Sequence, residues 1–132
     1  PTLKENEMIL VNKLEYKLHQ PKRGDIIVFH SPLSKDSYVK RVIGLPGEEI
    51  EIRNGFVFIN GEKVDEGYLT TETKGYFGPI QIGYNELFVM GDNRGNSMDS
   101  REFGPILMKS VIGKASMVYW PIKECKTLAF AS

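Results

Sequence analysis

The stretch "EEIEIRNGFVFING" (residues 48–61) decides the fold class of this chain. Ile50 and Ile52 alternate with glutamates, which is the period-two pattern of a strand that buries one face. The Asn-Gly pair at 54–55 favours a type I′ turn, because both central residues of that turn need a positive φ, and the apolar run "FVFI" follows it. A second Asn-Gly pair at 60–61 offers another tight turn. The stretch therefore predicts an antiparallel β-hairpin.

Strand-like runs lie on both sides of this hairpin. Short segments rich in β-branched and aromatic residues predict strands over residues 7–14, 24–30, 84–92 and 113–120. Many short strands separated by turn signals are typical of an all-β architecture. We therefore expect a mostly β fold, in which coiled antiparallel β-sheets form a barrel-like or sandwich domain with at most one or two short helices.

Two segments depart from the strand pattern. "GPILMKSVIG" (104–113) is the one helical candidate, because Leu107, Val111 and Ile112 have roughly helical spacing and a glycine closes the segment. Residues 65–83 are rich in Gly and Thr and have weak periodicity, so we expect a flexible linking segment there.

The composition excludes several classes of protein. Apolar residues make up 41% and charged residues 26% of the 132, which is ordinary for one globular domain. Seventeen basic and seventeen acidic residues cancel, so the chain lacks the charge signature of a nucleic-acid-binding protein. The lone cysteine, Cys125, excludes an internal disulfide and a cysteine-based zinc site. The longest apolar runs are strand-sized and predict no membrane-spanning helix within the chain.

The stretch "GDNRGNSMDSREFG" (91–104) is the densest polar segment. Arg94 stands where a calcium loop needs an oxygen ligand, so a metal loop is a poor explanation. The stretch also lacks the G-K-[ST] ending of a phosphate loop and the G-x-S-x-G of a nucleophile elbow. Its residues alone favour a strand-exit turn in which Asp99 and Arg101 are close enough to pair.

Lys40 lies inside the apolar, β-branched run "SYVKRVIGLPGE" (37–48). Strand alternation places Tyr38, Lys40 and Val42 on one face and Arg41 on the other. Two interpretations stay open. The ammonium group reaches solvent from an edge strand, or burial lowers its pKa from about 10.4 far enough for it to act as a general base.

Four stretches, in this order, resemble the conserved boxes of bacterial type I signal peptidases, the Ser–Lys proteases that remove signal peptides from exported proteins. The first box of that family is Ser-Met-x-Pro-Thr-Leu, and this chain opens on Pro1-Thr2-Leu3. The later boxes are matched by "RGDIIVF" (23–29), "YVKRVIGLPGE" (38–48) and "GDNRGNSMDSREFGP" (91–105). The resemblance spans nearly the whole chain, and it is closer to the compact Gram-positive versions than to those with a large inserted second domain.

The resemblance implies roles for the matching residues. The lysine that matches Lys40 is the general base of the family, which takes the proton of the nucleophilic serine in place of a histidine. The serine that matches Ser97 hydrogen-bonds this lysine and orients it. Five residues of the last box would support the shape of the loop, namely Asp92, Asn93, Arg94, Asp99 and Arg101.

The nucleophile of the family falls outside this sequence. It is the serine of Ser-Met-x-Pro, three positions before the residue that is Pro1 here, and its main-chain NH serves the oxyanion hole. We therefore expect residues 1–132 to form a single soluble, extracytoplasmic catalytic core, truncated before its nucleophile and its N-terminal membrane anchor and inactive by itself. The full-length protein would be anchored in the cell membrane by a single span.

The resemblance also implies the substrate. The family binds signal peptides of secreted preproteins as extended chains with small residues at positions −1 and −3, and it cuts after A-x-A. We expect no cofactor, no metal and no nucleic-acid partner, and a contact with the membrane surface in the full-length protein. The positions that match the walls of the substrate pockets are Leu3, Met8, Ile9, Val28, Tyr38 and Val39.

Two other functions stay open. A self-cleaving repressor-type domain shares a Ser–Lys dyad and a related β fold, although "GDNRGNSMDSR" is foreign to that class. A non-catalytic relative would bind signal peptides without cutting them, and the residues before Pro1 would separate it from a protease. Near the chain's end, "AFAS" (129–132) has the A-x-A pattern of a cleavage site, which an ordinary apolar tail would also explain.

Overall fold

The computed structural model describes residues 7–67, 73, 75–95, 98–119 and 129–130, and it describes only the backbone of residues 7–10, 117–119 and 129–130. In chain order, the described elements are β1 (Glu7–Asn12), α1 (Glu15–Leu18), β2 (Ile26–His30), β3 (Ser37–Gly44), β4 (Glu49–Arg53), β5 (Phe56–Ile59), β6 (Glu62–Lys63), β7 (Phe77–Gln81), β8 (Glu86–Met90), α2 (Ser100–Phe103), β9 (Ile106–Leu107), a 3₁₀ turn (Met108–Ser110), β10 (Val111–Tyr119) and β11 (Ala129–Phe130).

The described strands form two sheets. Seven lie in one sheet, in the order β1-β10-β2-β3-β8-β9 with β11 paired to β3, and four lie in the other, in the order β6-β5-β4-β7. Among these strands, every pairing is antiparallel except that of β11 with β3. The prediction of a mostly β fold with antiparallel sheets and one or two short helices is therefore confirmed.

The hairpin predicted from the Asn-Gly turns is formed by β4 and β5. The two isoleucines of β4 lie opposite Ile59 and Val57 of β5, and all four side chains are buried. Asn54 and Gly55 have φ values of 53° and 86°, and the pair at 60–61 also has positive φ at both residues. This is the backbone geometry that a type I′ turn requires.

The two sheets share one apolar cluster. Ile43 from β3 packs with Phe88 and Met90 from β8, and this group meets Ile50 and Ile52 from the small sheet. All five side chains are essentially inaccessible to solvent. The cluster therefore holds the small sheet against the end of β3 that follows Lys40.

The helix predicted over residues 104–113 is wrong. The structure has β9 there, followed by a 3₁₀ turn and the start of β10. Ile106 and Leu107 pair with β8, and Val111 pairs with Phe29 of β2. Pairing with β8 and β2 therefore outweighs the weak helical spacing of this segment. Val111 and Ile112 are β-branched, which also favours a strand over a helix. The described α-helices span four residues each, and no described helix is long and apolar enough to cross a membrane.

Part of the segment predicted as a linker is a strand. Within residues 65–83, Phe77–Gln81 forms β7, which pairs with β4 of the small sheet. Phe77 packs against Phe88, with ring centroids 5.3 Å apart. The composition hid this strand, because Gly78 and Pro79 stand between its two apolar residues, Phe77 and Ile80, and break the alternation.

Strand β3 runs through the middle of the larger sheet. It pairs with β2 from Ser37 to Arg41, and with β8 from Arg41 to Gly44. Its last three residues are buried, and Val42 among them packs with Ile27 and Phe29 of β2 and Val89 of β8. This position decides the environment of the lysine that β3 carries.

Candidate active site

Lys40 is buried at the centre of the larger sheet. It lies opposite Ile27 on β2, between Val39 and Arg41 on its own strand, and only 2% of its surface is exposed. A lysine on an outer strand can extend its four-carbon chain to water. Lys40 lies on an inner strand and does not reach solvent in this way, so the snorkelling interpretation does not hold.

Burial lowers the pKa of Lys40 from its ordinary 10.5 to about 8. The carboxylate of Asp99 partly offsets this effect by raising the pKa, the guanidinium of Arg101 lowers it, and Asp92 raises it again. With a pKa near 8, about a tenth of the molecules carry a neutral amine at pH 7, and the fraction grows tenfold per pH unit below that pKa. The amine can therefore accept a proton near physiological pH.

Asp99 and Arg101 close the loop that follows β8. The carboxylate of Asp99 accepts bonds from Nε and Nη2 of Arg101 at 2.9 and 2.8 Å, and from the main-chain NH of Gly91 at 3.0 Å. It also caps helix α2 by accepting the NH of Arg101 at 3.1 Å. Burial alone would raise the pKa of Asp99, but these hydrogen bonds and the charge of Arg101 hold it below its ordinary value. The carboxylate thus joins both ends of the loop.

Asp92 ties the same loop to β3. Nε and Nη2 of Arg41 donate to its two carboxylate oxygens at 2.9 and 2.7 Å, and Nη1 donates to the carbonyl of Gly24 at 2.9 Å. Burial raises the pKa of Asp92, whereas the bonds and charge of Arg41 lower it by more. Because Arg41 follows Lys40 directly, this ion pair holds the loop beside the lysine.

Arg94 anchors the loop from its other side. Its guanidinium donates to both oxygens of Glu66 at 3.0 and 2.6 Å, to the hydroxyl of Thr73 at 2.9 Å and to the carbonyl of Gly91 at 2.8 Å. Its own carbonyl accepts a bond of 2.7 Å from Arg101. The side chain of Arg94 is fully buried and that of Glu66 is 7% exposed. The loop is therefore fixed by three arginine–carboxylate pairs.

Comparison with known proteins identifies the family. The family described as signal peptidase, peptidase S26, matches residues 1–120. The chain belongs to this signal peptidase family. The lysine strand and the supported loop lie in two of the boxes that carried the sequence resemblance.

Several relatives share the match. A signal peptidase I from Leptolyngbya laminosa is 38% identical over 132 residues, which cover 94% of this chain and 65% of the relative. One from Bacillus caldolyticus is 41% identical over 138 residues, covering 94% of this chain and 75% of the relative. A crystal structure of a signal peptidase I from Enterococcus faecalis superposes with a TM-score of 0.66 at 35% identity, covering 72% of this chain and 96% of that one. The chain spans only 65% and 59% of the Leptolyngbya relative and a Synechocystis relative.

The structure brings together three of the positions predicted to wall the signal peptidase substrate pockets. Val28 lies opposite Val39, and Tyr38 is next to Val39 on β3. Tyr38 and Val39 are half-buried, whereas Val28 is 1% exposed and packs with Ala115. Val28 therefore contributes mainly to the core and leaves little surface for a ligand.

The structure says less about the remaining residues that the sequence predicted for the site. Met8 and Ile9 lie in β1, where the backbone alone is described, and β10 and β2 separate β1 from β3 in the sheet order. Asn93 is exposed. Leu3 and Ser97 lie outside the described residues.

Sequence reasoning missed the partners that fix the loop. Glu66 and Thr73 lie in the segment predicted as a linker, and nothing in their local sequence marks them as partners of Arg94. The pair of Arg41 with Asp92 joins residues 51 positions apart. Both boxes carry acidic and basic residues, and such a composition does not specify which of them pair.

Proposed function

We propose that this chain is the core of a membrane-anchored serine endopeptidase that removes signal peptides from secreted preproteins. The observation that supports this most strongly is Lys40, a lysine with 2% exposure whose pKa burial lowers to about 8. A Ser–Lys protease needs a lysine that is neutral when substrate is bound, and a fully solvated lysine is protonated at neutral pH.

The proposed mechanism uses a serine that precedes Pro1 in the full-length protein. Lys40 removes the proton of that hydroxyl as the oxygen attacks the carbonyl carbon of the scissile bond, and the resulting ammonium then gives the proton to the leaving amine. The first product is an acyl-enzyme ester, which water hydrolyses with Lys40 again acting as the base. Ser97 orients the lysine through its hydroxyl group.

The loop is assigned a supporting role. Asp99, Arg101 and Asp92 lie close enough to Lys40 to act on its pKa, and Arg94 fixes the loop from the side of Glu66. None of these groups is proposed to contact the scissile bond. Their contribution is to hold the residues that do so within the small positional tolerance that catalysis demands.

The proposed substrate is an extended peptide with small residues at −1 and −3. Such a peptide gains main-chain hydrogen bonds by adding to a sheet edge, and shallow pockets select its alternate side chains. Tyr38 and Val39 are half-buried on β3 immediately before Lys40, where a peptide with this geometry would reach the base. We assign the domain to the extracytoplasmic face of the membrane, where signal peptides emerge.

The test adds the proposed serine upstream of Pro1. We expect a chain extended upstream of Pro1 by Ser-Met-x to cleave a peptide after A-x-A in detergent, and the present chain not to cleave it. Lys40→Ala should abolish cleavage, whereas Lys109→Ala, at an exposed lysine, should not. Full activity of Lys40→Ala would refute the dyad. Binding of the peptide without any cleavage by the extended chain would instead favour a non-catalytic relative.

A further inference from the structure

On one side of β3, the neighbouring strand β8 covers only part of the strand. On the side facing β8, pairing begins only at Arg41, which lies opposite Met90. After Met90 the chain turns away into the loop that Asp99 closes. β8 therefore leaves the main-chain groups of Tyr38 and Val39 on this side, directly before Lys40, to a different strand.

The chain's own C-terminal strand takes this edge. Ala129 lies opposite Tyr38 and Phe130 opposite Val39, and the two strands run parallel. In a parallel pair, residue numbers increase in the same direction along both strands. In any peptide bound in this register, the residue after the one opposite Val39 would therefore lie opposite Lys40. The residue after this pair in the sequence is a second alanine, which completes Ala-Phe-Ala, followed by Ser132.

The register matches what the proposed reaction requires of a substrate. Small residues at the first and third positions of the bound triplet correspond to −3 and −1, and the −1 carbonyl must come to the base. A segment with the sequence A-x-A on an edge that ends at Lys40 meets both conditions. An apolar tail that merely covered the edge would need neither the two alanines nor this register.

We propose that residues 129–131 are a built-in pseudosubstrate that competes with signal peptides for the edge of β3. The inference rests on the proposed function. A row of main-chain groups can pair with only one strand at a time, so the tail and a signal peptide exclude each other. Because the tail is tethered, its local concentration is in the range of millimolar, and even weak pairing keeps it bound for much of the time.

The pairing is also short enough to be displaced. β11 spans two residues, whereas β1 pairs with β10 over six. A signal peptide can therefore replace the tail without disturbing the rest of the sheet. The expected consequence is a raised KM with an unchanged kcat, because the tail blocks binding and leaves the chemistry of the bound complex as it is.

The test uses the full-length protein in detergent with a peptide substrate that contains A-x-A. The tail raises the apparent KM in proportion to the inverse of the fraction of molecules whose β3 edge is unoccupied. In the double variant Ala129→Asp/Ala131→Asp, we therefore expect KM to fall, by about tenfold if the tail is bound nine-tenths of the time. Phe130→Asp is the matched control, since the proposed substrate needs small residues only at −1 and −3 and makes no such demand of the position between them. KM should stay near the wild-type value in this control.

The outcomes separate this inference from the proposed function. Absence of cleavage by the unmodified protein would contradict the proposed function. Normal cleavage with the same KM in the double variant, or an equal fall in Phe130→Asp, would overturn the pseudosubstrate alone. A second measurement does not depend on folding of the variants: a synthetic peptide TLAFAS should inhibit the wild-type protein competitively, and TLDFDS should not. Equal inhibition by both peptides would also overturn the inference.

Discussion

Replacing Lys40 with methionine should make the protein more stable at neutral pH, by an amount that shrinks as the pH rises into the alkaline range. Methionine has a similar length and fits irregular apolar sites. The folded protein binds the Lys40 proton more weakly than the unfolded chain does, because its pKa is about 8 instead of 10.5. At 1.4 kcal/mol per pKa unit, the buried ammonium costs the folded state about 3 kcal/mol.

The sign and the pH window follow from the two pKa values of Lys40. Below about pH 8 both states are protonated, and the whole cost is present. Between about pH 8 and 10.5 the folded protein loses the proton while the unfolded chain keeps it, so the wild type gains stability as pH rises. The advantage of Lys40→Met should therefore fall from about 3 kcal/mol at pH 7 to below about 1 kcal/mol at pH 10.

Urea unfolding of the two proteins at several pH values between 7 and 10 measures this difference. Other titrating groups are common to both proteins and cancel, and any difference in methionine packing adds a constant. Lys109→Met shows what the loss of an exposed lysine does over the same range. An advantage of Lys40→Met that does not change with pH would refute the reasoning, because the folded pKa of Lys40 would then be ordinary.

Three further predictions follow from the site. Cleavage by the chain extended with Ser-Met-x should rise about tenfold per pH unit and level off above about pH 8 in a kcat/KM profile, whereas a profile flat from pH 6 to 9 would exclude Lys40 as the base. Ser97→Ala should slow cleavage without eliminating it in the same assay, since its proposed role is to orient the base; complete loss would give it a larger part. Glu66→Ala should destabilise the fold by about 3 kcal/mol in urea unfolding, because it leaves the charge of Arg94 buried and unpaired. Glu66→Gln should destabilise it less. Equal stability of Glu66→Ala and wild type would show that water reaches Arg94.

Local patterns in the sequence predicted the parts of the fold that depend on neighbouring residues. The hairpin of β4 and β5 was predictable because the Asn-Gly pair at 54–55 fixes its turn and alternation fixes its buried face. The segment at 104–113 was not, because its conformation depends on pairing with β8 and β2, which are distant in the chain. The same limit applies to Glu66, whose partner Arg94 is 28 residues away.

The candidate site divides in the same way. The apolar run around Lys40 raised the possibility of a lysine with a low pKa, but alternation within a strand does not reveal whether the strand is inner or outer. Pairing of β3 with both β2 and β8 settles that point, and it turns an ambiguous lysine into a buried one. The low pKa is thus a property of the sheet order more than of the residues adjacent to Lys40.

The electrostatics of the loop explain why burial controls the pKa of Lys40. Each arginine near the lysine has its own carboxylate partner, so Arg101 acts together with Asp99, and Arg41 together with Asp92. Burial is the largest influence on the pKa of Lys40, and Asp99 and Arg101 shift that pKa in opposite directions. A loop with unmatched carboxylates would keep the ammonium protonated, and one with unmatched arginines would add a large cost to a site that already excludes water. The density of charged residues in "GDNRGNSMDSREFG" therefore serves to hold the loop rigidly, while burial remains the largest influence on the pKa of Lys40.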